Sequence, residues 1–513
     1  MVREIGQQLS WSGNEGTMNE SEKTKLSQSL KANMETVKTI YGSDSTLKMR
    51  SFSNLESDKI KCGIFYIEGL VNKESISKNI IRPIIQAEYS GEKDIPALLK
   101  DKVITSEHIR VEQDLTALIE AVNYGDTALF IDGFATAFLI DSKDWKQRQI
   151  EEPQSEMTVR GPKEGFTECI MVNLSLIRRR IITQDLKYEF SEIGTRTKTK
   201  ICMCYIEGVA NKNILGELKD RLSKINMDAV LDSGYIQECI KDAPMSIFKT
   251  VGSTEKPDII CGKLLEGRIA IVVDGSPEVI TVPYLFIEAF QTGEDYYIPS
   301  VYGSINRFLR IASFFLTTMI PANYIALVTF HQEMIPTPLA ISIAAASTGT
   351  PFPTIVEMAL MLIVFEIIRE AIVRMPSFMG QAISIVGVLV IGQATVEARF
   401  ISAPIIIIVA FTAITGLMIG KIKSTSIILR MIFIILSGFL GFYGIIFGFI
   451  VTCIYLLQLK SFGVPFIHVD NSKGLHGVTD TIIRAPWWYL KLRPAFMAID
   501  RKRNDFKTKK VRK

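Results

Sequence analysis

Lys61-Cys-Gly-Ile-Phe-Tyr-Ile-Glu-Gly-Leu-Val-Asn-Lys73 and Lys200-Ile-Cys-Met-Cys-Tyr-Ile-Glu-Gly-Val-Ala-Asn-Lys212 are two copies of one pattern. A second pair follows at nearly the same offset, Gly125-Asp-Thr-Ala-Leu-Phe-Ile-Asp-Gly133 against Gly267-Arg-Ile-Ala-Ile-Val-Val-Asp-Gly275. Self-similarity of this kind marks a duplicated structural unit. Before Gly125, residues Leu115, Leu118, Ile119 and Val122 have the spacing of a helix with one buried face, so the glycine reads as its C-terminal cap. Each copy is therefore expected to run strand, Tyr-Ile-Glu-Gly turn, helices, Gly-capped helix, strand, Asp-Gly turn, the alternation of a small α/β lobe. The repeated Glu68/Glu207 and Asp132/Asp274 admit two readings, paired acids of an active site or turn chemistry. Turn chemistry is the plainer one, because Glu-Gly and Asp-Gly punctuate strand ends.

Beyond residue ~305 the character changes. Of 513 residues, 58 are Lys or Arg and 54 Asp or Glu, for a net charge of +4. That balance argues against a nucleic-acid binder, yet the charges crowd the first ~300 positions while long apolar runs fill ~305–460. The fold class read from this is an α/β cytosolic region of two related lobes followed by an α-helical polytopic transmembrane domain. The organisation divides into a flexible N-terminal extension (1–55), a first lobe (56–150), a linker and helical segment (151–199), a second lobe (200–300), a transmembrane domain (301–465) and a basic cytosolic tail with an interfacial aromatic segment (466–513). The polar first fifty residues contain no signal-like apolar core, which places both termini in the cytosol together with the basic tail after Pro486-Trp-Trp-Tyr489. Seven cysteines without a C-x-x-C pair fit reduced, mostly buried thiols.

Candidate spans are 308–330, 379–401, 403–422 and 427–459. The last is either one tilted, close-packed helix or two helices with a tight turn in Gly438-Phe-Leu-Gly-Phe-Tyr-Gly-Ile-Ile-Phe-Gly448. Helix 379–401, with Gly380, Gly387 and Gly392, reads as a packing helix. Prolines bracket a short apolar run at 339–350, expected to be a broken or re-entrant element. In the next segment Thr354 and Glu357 fit a capping box. Beyond it Leu360, Met361, Val364, Phe365, Ile368 and Ile372 form an apolar face, and Glu366, Arg369, Glu370 and Arg374 cluster opposite. Four charges cannot face lipid. They form either an internal ion-pair ladder or a stripe lining a conduction path, with Leu360 or Val364 near an apolar constriction.

Catalytic chemistry finds no constellation: the four histidines are dispersed and no nucleophile elbow is present. The Gly-rich loop with Arg160 and Lys163 lacks both phosphate-loop signatures, and Arg178, Arg179 and Arg180 lack the stacking aromatics of an RNA-binding helix. These five basic residues are candidates for a lobe or inter-subunit contact. No metal or cofactor is expected.

Val159-Arg-Gly-Pro-Lys-Glu-Gly-Phe-Thr-Glu168, Asn173-Leu-Ser-Leu-Ile-Arg-Arg-Arg180, Leu264-Leu-Glu-Gly-Arg268, Val273-Asp-Gly-Ser-Pro277, Asp295-Tyr-Tyr297, Phe365-Glu-Ile-Ile-Arg-Glu-Ala371 and Ile385-Val-Gly-Val-Leu-Val-Ile-Gly-Gln393 occur in order. Together they resemble the A subunits of GerA-type spore nutrient-germinant receptors. The resemblance implies an inner spore membrane protein working with a transporter-like B subunit and a lipoprotein C subunit. It also implies oligomerisation into a nutrient-opened channel for monovalent cations. Two alternatives remain: a non-conducting scaffold of the same complex, and a related spore-membrane paralogue of the same architecture.

Overall fold

A computed structural model describes residues 25–55, 60–87, 94–106, 108–144, 156, 160–374, 392–467, 480–490, 492–494, 496–500 and 502–503. Residues 1–24 of the expected N-terminal extension, Gly380 and Gly387 of the 379–401 helix, and the tail beyond 503 lie outside the described residues. The chain forms two compact units, one of residues 1–149 with 170–190, the other of residues 150–169 with 191–513.

In the first unit, β1 (Leu47–Ser53), β2 (Lys61–Ile67), β3 (Ile109–Glu112), β4 (Asp126–Ile131) and β5 (Ala137–Asp141) pair in the order β1-β2-β4-β5-β3. β6 (Leu186–Ile193), β7 (Thr199–Ile206), β8 (Gly252–Thr254), β9 (Ile269–Val273) and β10 (Val279–Val282) take the matching order β6-β7-β9-β10-β8. The repeated motifs occupy equivalent places: each Tyr-Ile-Glu-Gly turn follows the second strand, at Gly69 and Gly208, and each Asp-Gly turn follows the fourth. After the first turn Asn72 and Asn211 cap the next helix through their side chains.

The pairings β1–β2, β2–β4, β4–β5 and β3–β5 are all antiparallel, as are β7–β9, β9–β10 and β8–β10. The lobes are thus helix-covered antiparallel sheets, a strand direction that the α/β alternation left open. The third strand of each set sits at the far edge, so the chain returns to the fourth in the opposite sense.

Residues 30–53 are also not an extension. Leu30, Asn33, Val37 and Tyr41 line the buried face of a helix, Leu30–Tyr41, and β1 pairs along its length with β2. Within this unit Asp44 receives Arg178 at 2.5 Å, with the guanidinium 4.5 Å from the Tyr188 ring centre and wholly out of solvent. Asp132 accepts the Leu30 amide at 3.0 Å, a helix-start role and not an acid–base one.

Among the described residues of the second unit the helices after residue 300 are Ser300–Thr329, Thr337–Ser347, Thr354–Arg374, Ala403–Leu417 and Lys423–Gln458, and residues 392–397 are also helical. Among the described residues two stretches, Ser300–Thr329 and Gly420–Gln458, are long and apolar enough to cross a membrane. The second is broken at Gly441, with φ 59° and ψ −138°, a conformation open essentially to glycine. Residues eight apart in a straight helix lie about 12 Å apart along the axis. Here a Cβ on Gly444 would collide with the Leu436 carbonyl, and one on Gly448 would come within 2.7 Å of Leu436 Cδ1. Residues 423–440 and 442–458 are therefore antiparallel arms of a helical hairpin, which decides between the two readings of 427–459. Ser437 ties the first arm to the long helix through the Ala322 carbonyl at 2.6 Å, and Gly438 lets Ile355 pack against the arm.

Part of the expected tail also folds back. Ile499 donates to the Val209 carbonyl at 2.9 Å, Arg493 to that of Leu265 at 2.7 Å, and Met497 enters the second lobe's core.

Candidate functional site

The Thr354–Arg374 helix presents two different faces. Glu357, Met358, Met361 and Leu362 are buried, while Val356, Leu360, Ile363, Ile367, Glu370 and Arg374 are exposed. The exposed set recurs at intervals of four and three residues, the spacing of a seam that meets neighbouring helices. Val364 and Phe365 are half-buried between the faces.

The capping box is not formed. The Glu357 amide donates to the Pro353 carbonyl at 3.1 Å, an ordinary helical bond, so Thr354 is already inside the helix. The Glu357 carboxylate, 2 % exposed, instead accepts the Ser402 amide at 2.9 Å, at the start of the Ala403–Leu417 helix. A carboxylate there also satisfies the positive end of that helix.

The four charges divide between the faces. Glu370 and Arg374 pair at 2.6 Å with side chains 60 % and 78 % exposed. Glu366 turns inward, where it takes Arg369 and, at 2.6 Å, Arg430 of the hairpin's first arm. Arg430 is 2 % exposed and went unread in the sequence, where its signal was a lone arginine within Ile427-Ile-Leu-Arg-Met-Ile-Phe433. Nearby, Thr317 and Thr415 hydroxyls join two helices at 2.8 Å.

A second charged cluster, also unread, anchors the start of the Ser300–Thr329 helix. Arg307, fully buried, donates to Asp295 at 3.1 Å and to Asp480 at 3.0 Å, and Arg310 also holds Asp295. Burial works to raise the Asp295 carboxyl, but Arg310 and Arg307 outweigh it and hold it below the usual carboxylate range. For Asp480 burial dominates and pushes its carboxyl up.

The remaining sequence candidates lie apart. Arg178 is the buried partner of Asp44, Arg179 is half-buried and Arg180 is exposed. In the other unit Arg160 gives its backbone amide to Glu294 at 2.8 Å, and a side chain at Gly161 would run into the Tyr297 ring. Lys163 stands beside Pro162, whose carbonyl receives Lys256 at 2.9 Å. The Gly-rich loop is therefore packed against the second lobe. Among the described residues no group of three or more His, Cys, Asp or Glu is arranged to hold a metal.

Two sheets of like order, an apolar helical region with two candidate membrane spans among the described residues, and a helix with one buried and one exposed face describe a two-lobed protein with a helical C-terminal region. The family described as Bacillus/Clostridium GerA spore germination protein matches residues 35–496, and the chain belongs to it. Spore germination protein KA of Bacillus subtilis (strain 168) is 40% identical over 91% of this chain and 87% of its own length. Spore germination protein GerLA of Bacillus cereus is 36% identical over 90% and 94%. The membrane protein YfkQ of Bacillus subtilis, described as uncharacterized, is 38% identical over 91% of each. A crystal structure of the N-terminal domain of the A subunit of the Bacillus megaterium spore germinant receptor GerK3 aligns with 51% of this chain and 98% of that domain, at 29% identity and a TM-score of 0.39.

Proposed function

We propose that this chain is the A-type membrane subunit of a nutrient-germinant receptor in the inner spore membrane, working with a transporter-like B and a lipoprotein C subunit. Copies of it oligomerise so that their Thr354–Arg374 helices surround a path for monovalent cations. The observation that carries the reading is the exposed 3-4 spaced face Val356, Leu360, Ile363, Ile367, Glu370 and Arg374. Facing lipid, Glu370 and Arg374 would be costly; facing a shared axis, they meet water, and the apolar residues before them form the constriction. Glu370 then supplies the cation-attracting ring, while Glu366 and Arg369 belong to the clamp on Arg430. Both lobes and the C-terminal segment lie on the cytosolic side, a reading supported by the return of residues 493–499 to the second lobe.

The test is nutrient-triggered cation flux in liposomes holding the full complex. Glu370→Gln is expected to lower the flux or change its ion preference at unchanged complex abundance. Absence of flux with wild-type complex, or identical conductance and preference in the variant, returns the chain to the role of a non-conducting scaffold.

A further inference from the structure

Behind the exposed face lies a pocket whose charges do not balance. Its lining includes Arg369, Lys423 and Arg430 against the single carboxylate of Glu366, while the Thr412 and Ser426 hydroxyls beside them donate to the Ile408 and Lys423 carbonyls of their own helices. Glu366 is already engaged by both arginines. Among the described residues the Lys423 ammonium has neither a hydrogen bond nor an ion pair, and the residue is half-buried. Arg430 is 2 % exposed, and its Nε is buried without a hydrogen-bond partner among the described residues. A buried donor without an acceptor and uncompensated cations in a poorly hydrated site are both unfavourable, and one oxyanion relieves both. The hairpin's first arm begins at Lys423, so the positive end of that helix adds to the field.

We propose that this pocket binds a phosphate-class oxyanion. The space, about 10 Å³, takes one oxygen-sized atom, so a single phosphate oxygen enters between the arginines while the rest of the group stays at the mouth. Tetrahedral oxyanions suit paired guanidinium forks better than a spherical ion does. The pocket lies near the end of the helices that adjoins the second lobe, since Thr425 donates to the Ile247 carbonyl at 2.6 Å. That is headgroup depth for a helix crossing a bilayer, so the phosphate comes either from an anionic lipid or from solution. Nothing here depends on conduction, and failure of the channel reading leaves the site in place.

Melting temperatures of the full-length protein test it in three preparations: phosphatidylcholine nanodiscs, the same discs with inorganic phosphate replacing chloride, and discs containing phosphatidylglycerol. A rise of at least ~2 °C is expected in one of the last two, as for any ligand that binds only the folded state. A rise with phosphatidylglycerol alone assigns a lipid headgroup, and a rise with inorganic phosphate assigns the free ion. Lys423→Gln is expected to remove most of the rise, and Lys460→Gln, at an exposed lysine outside the pocket, to keep it. Equal melting temperatures in all three preparations, or an undiminished rise in Lys423→Gln, overturn the proposal. Should Lys423→Gln not fold, native mass spectrometry of the wild type decides: a retained phosphatidylglycerol or phosphate adduct supports the site and its absence overturns it.

Discussion

Arg430 Nη2 donates to Glu366 Oε1 at 2.6 Å across 64 positions of sequence, joining the charged helix to the first arm of the hairpin. Because Arg430 is nearly solvent-free, the cost of breaking the pair falls on the charge left behind. Removing one member of a buried pair typically costs about 3–5 kcal/mol, whereas replacing both by apolar residues is often neutral. Glu366→Gln is therefore expected to reduce the amount of folded protein in the membrane, and Glu366→Leu with Arg430→Met to restore it. Quantitative immunoblotting of membranes checks both. Equal abundance of Glu366→Gln and wild type contradicts the clamp.

Acid should weaken the anchor at the start of the Ser300–Thr329 helix. The Asp295 carboxyl is held below its unfolded value of ~4 by Arg310 and Arg307 against the opposing effect of burial. A depressed carboxyl contributes stability that is complete above the unfolded value and is lost as pH falls through the folded one. Wild type is thus expected to lose melting temperature below pH ~4 more steeply than Asp295→Asn, which starts lower and changes less. Parallel pH profiles for the two proteins are the contrary result.

The reversal at Gly441 is expected to be intolerant of any side chain. Its backbone angles suit glycine alone, and a Cβ there would stand 3.0 Å from Phe330 Cβ. Gly441→Ala should cost roughly 1–3 kcal/mol from backbone strain, with more from the contact. Gly262→Ala, inside the Pro257–Leu265 helix with open space at the new methyl, should be neutral or slightly stabilising. Thermal unfolding of the two variants side by side separates turn strain from a general effect of substituting glycine.

How much was legible follows from the range of the interactions. The duplication was readable because a strand, its turn and the next helix are neighbours in sequence, so Tyr66-Ile-Glu-Gly69 and Tyr205-Ile-Glu-Gly208 carry their own geometry. Strand direction was not, because it depends on where β3 and β8 come to rest at the far edges. The buried helix of Leu30–Tyr41 went unread because the polar residues on its outer face dominated the composition. Glu357 looked like a capping partner of Thr354, yet its acceptor role is set by Ser402, 45 residues away. The charged face of 366–374 was visible from periodicity alone, whereas its division into an inner and an outer pair depended on Arg430.

The outer pair leads to the most direct test of assembly. If copies of the Thr354–Arg374 helix meet along Val356, Leu360, Ile363 and Ile367, side chains on that seam approach their equivalents while those on the buried face cannot. A cysteine at Ile363 or Ile367 should therefore give disulfide-linked dimers on mild oxidation of membranes, because 51 % and 64 % exposure in one copy leaves both positions free to meet another. A cysteine at Leu362, 1 % exposed and packed within its own chain, should not. The parent protein, with its seven native cysteines, supplies the background. Dimers from Leu362→Cys as abundant as those from Ile363→Cys would mean that the helix meets its neighbours along another face, and the ring of Glu370 carboxylates would lose its geometric basis.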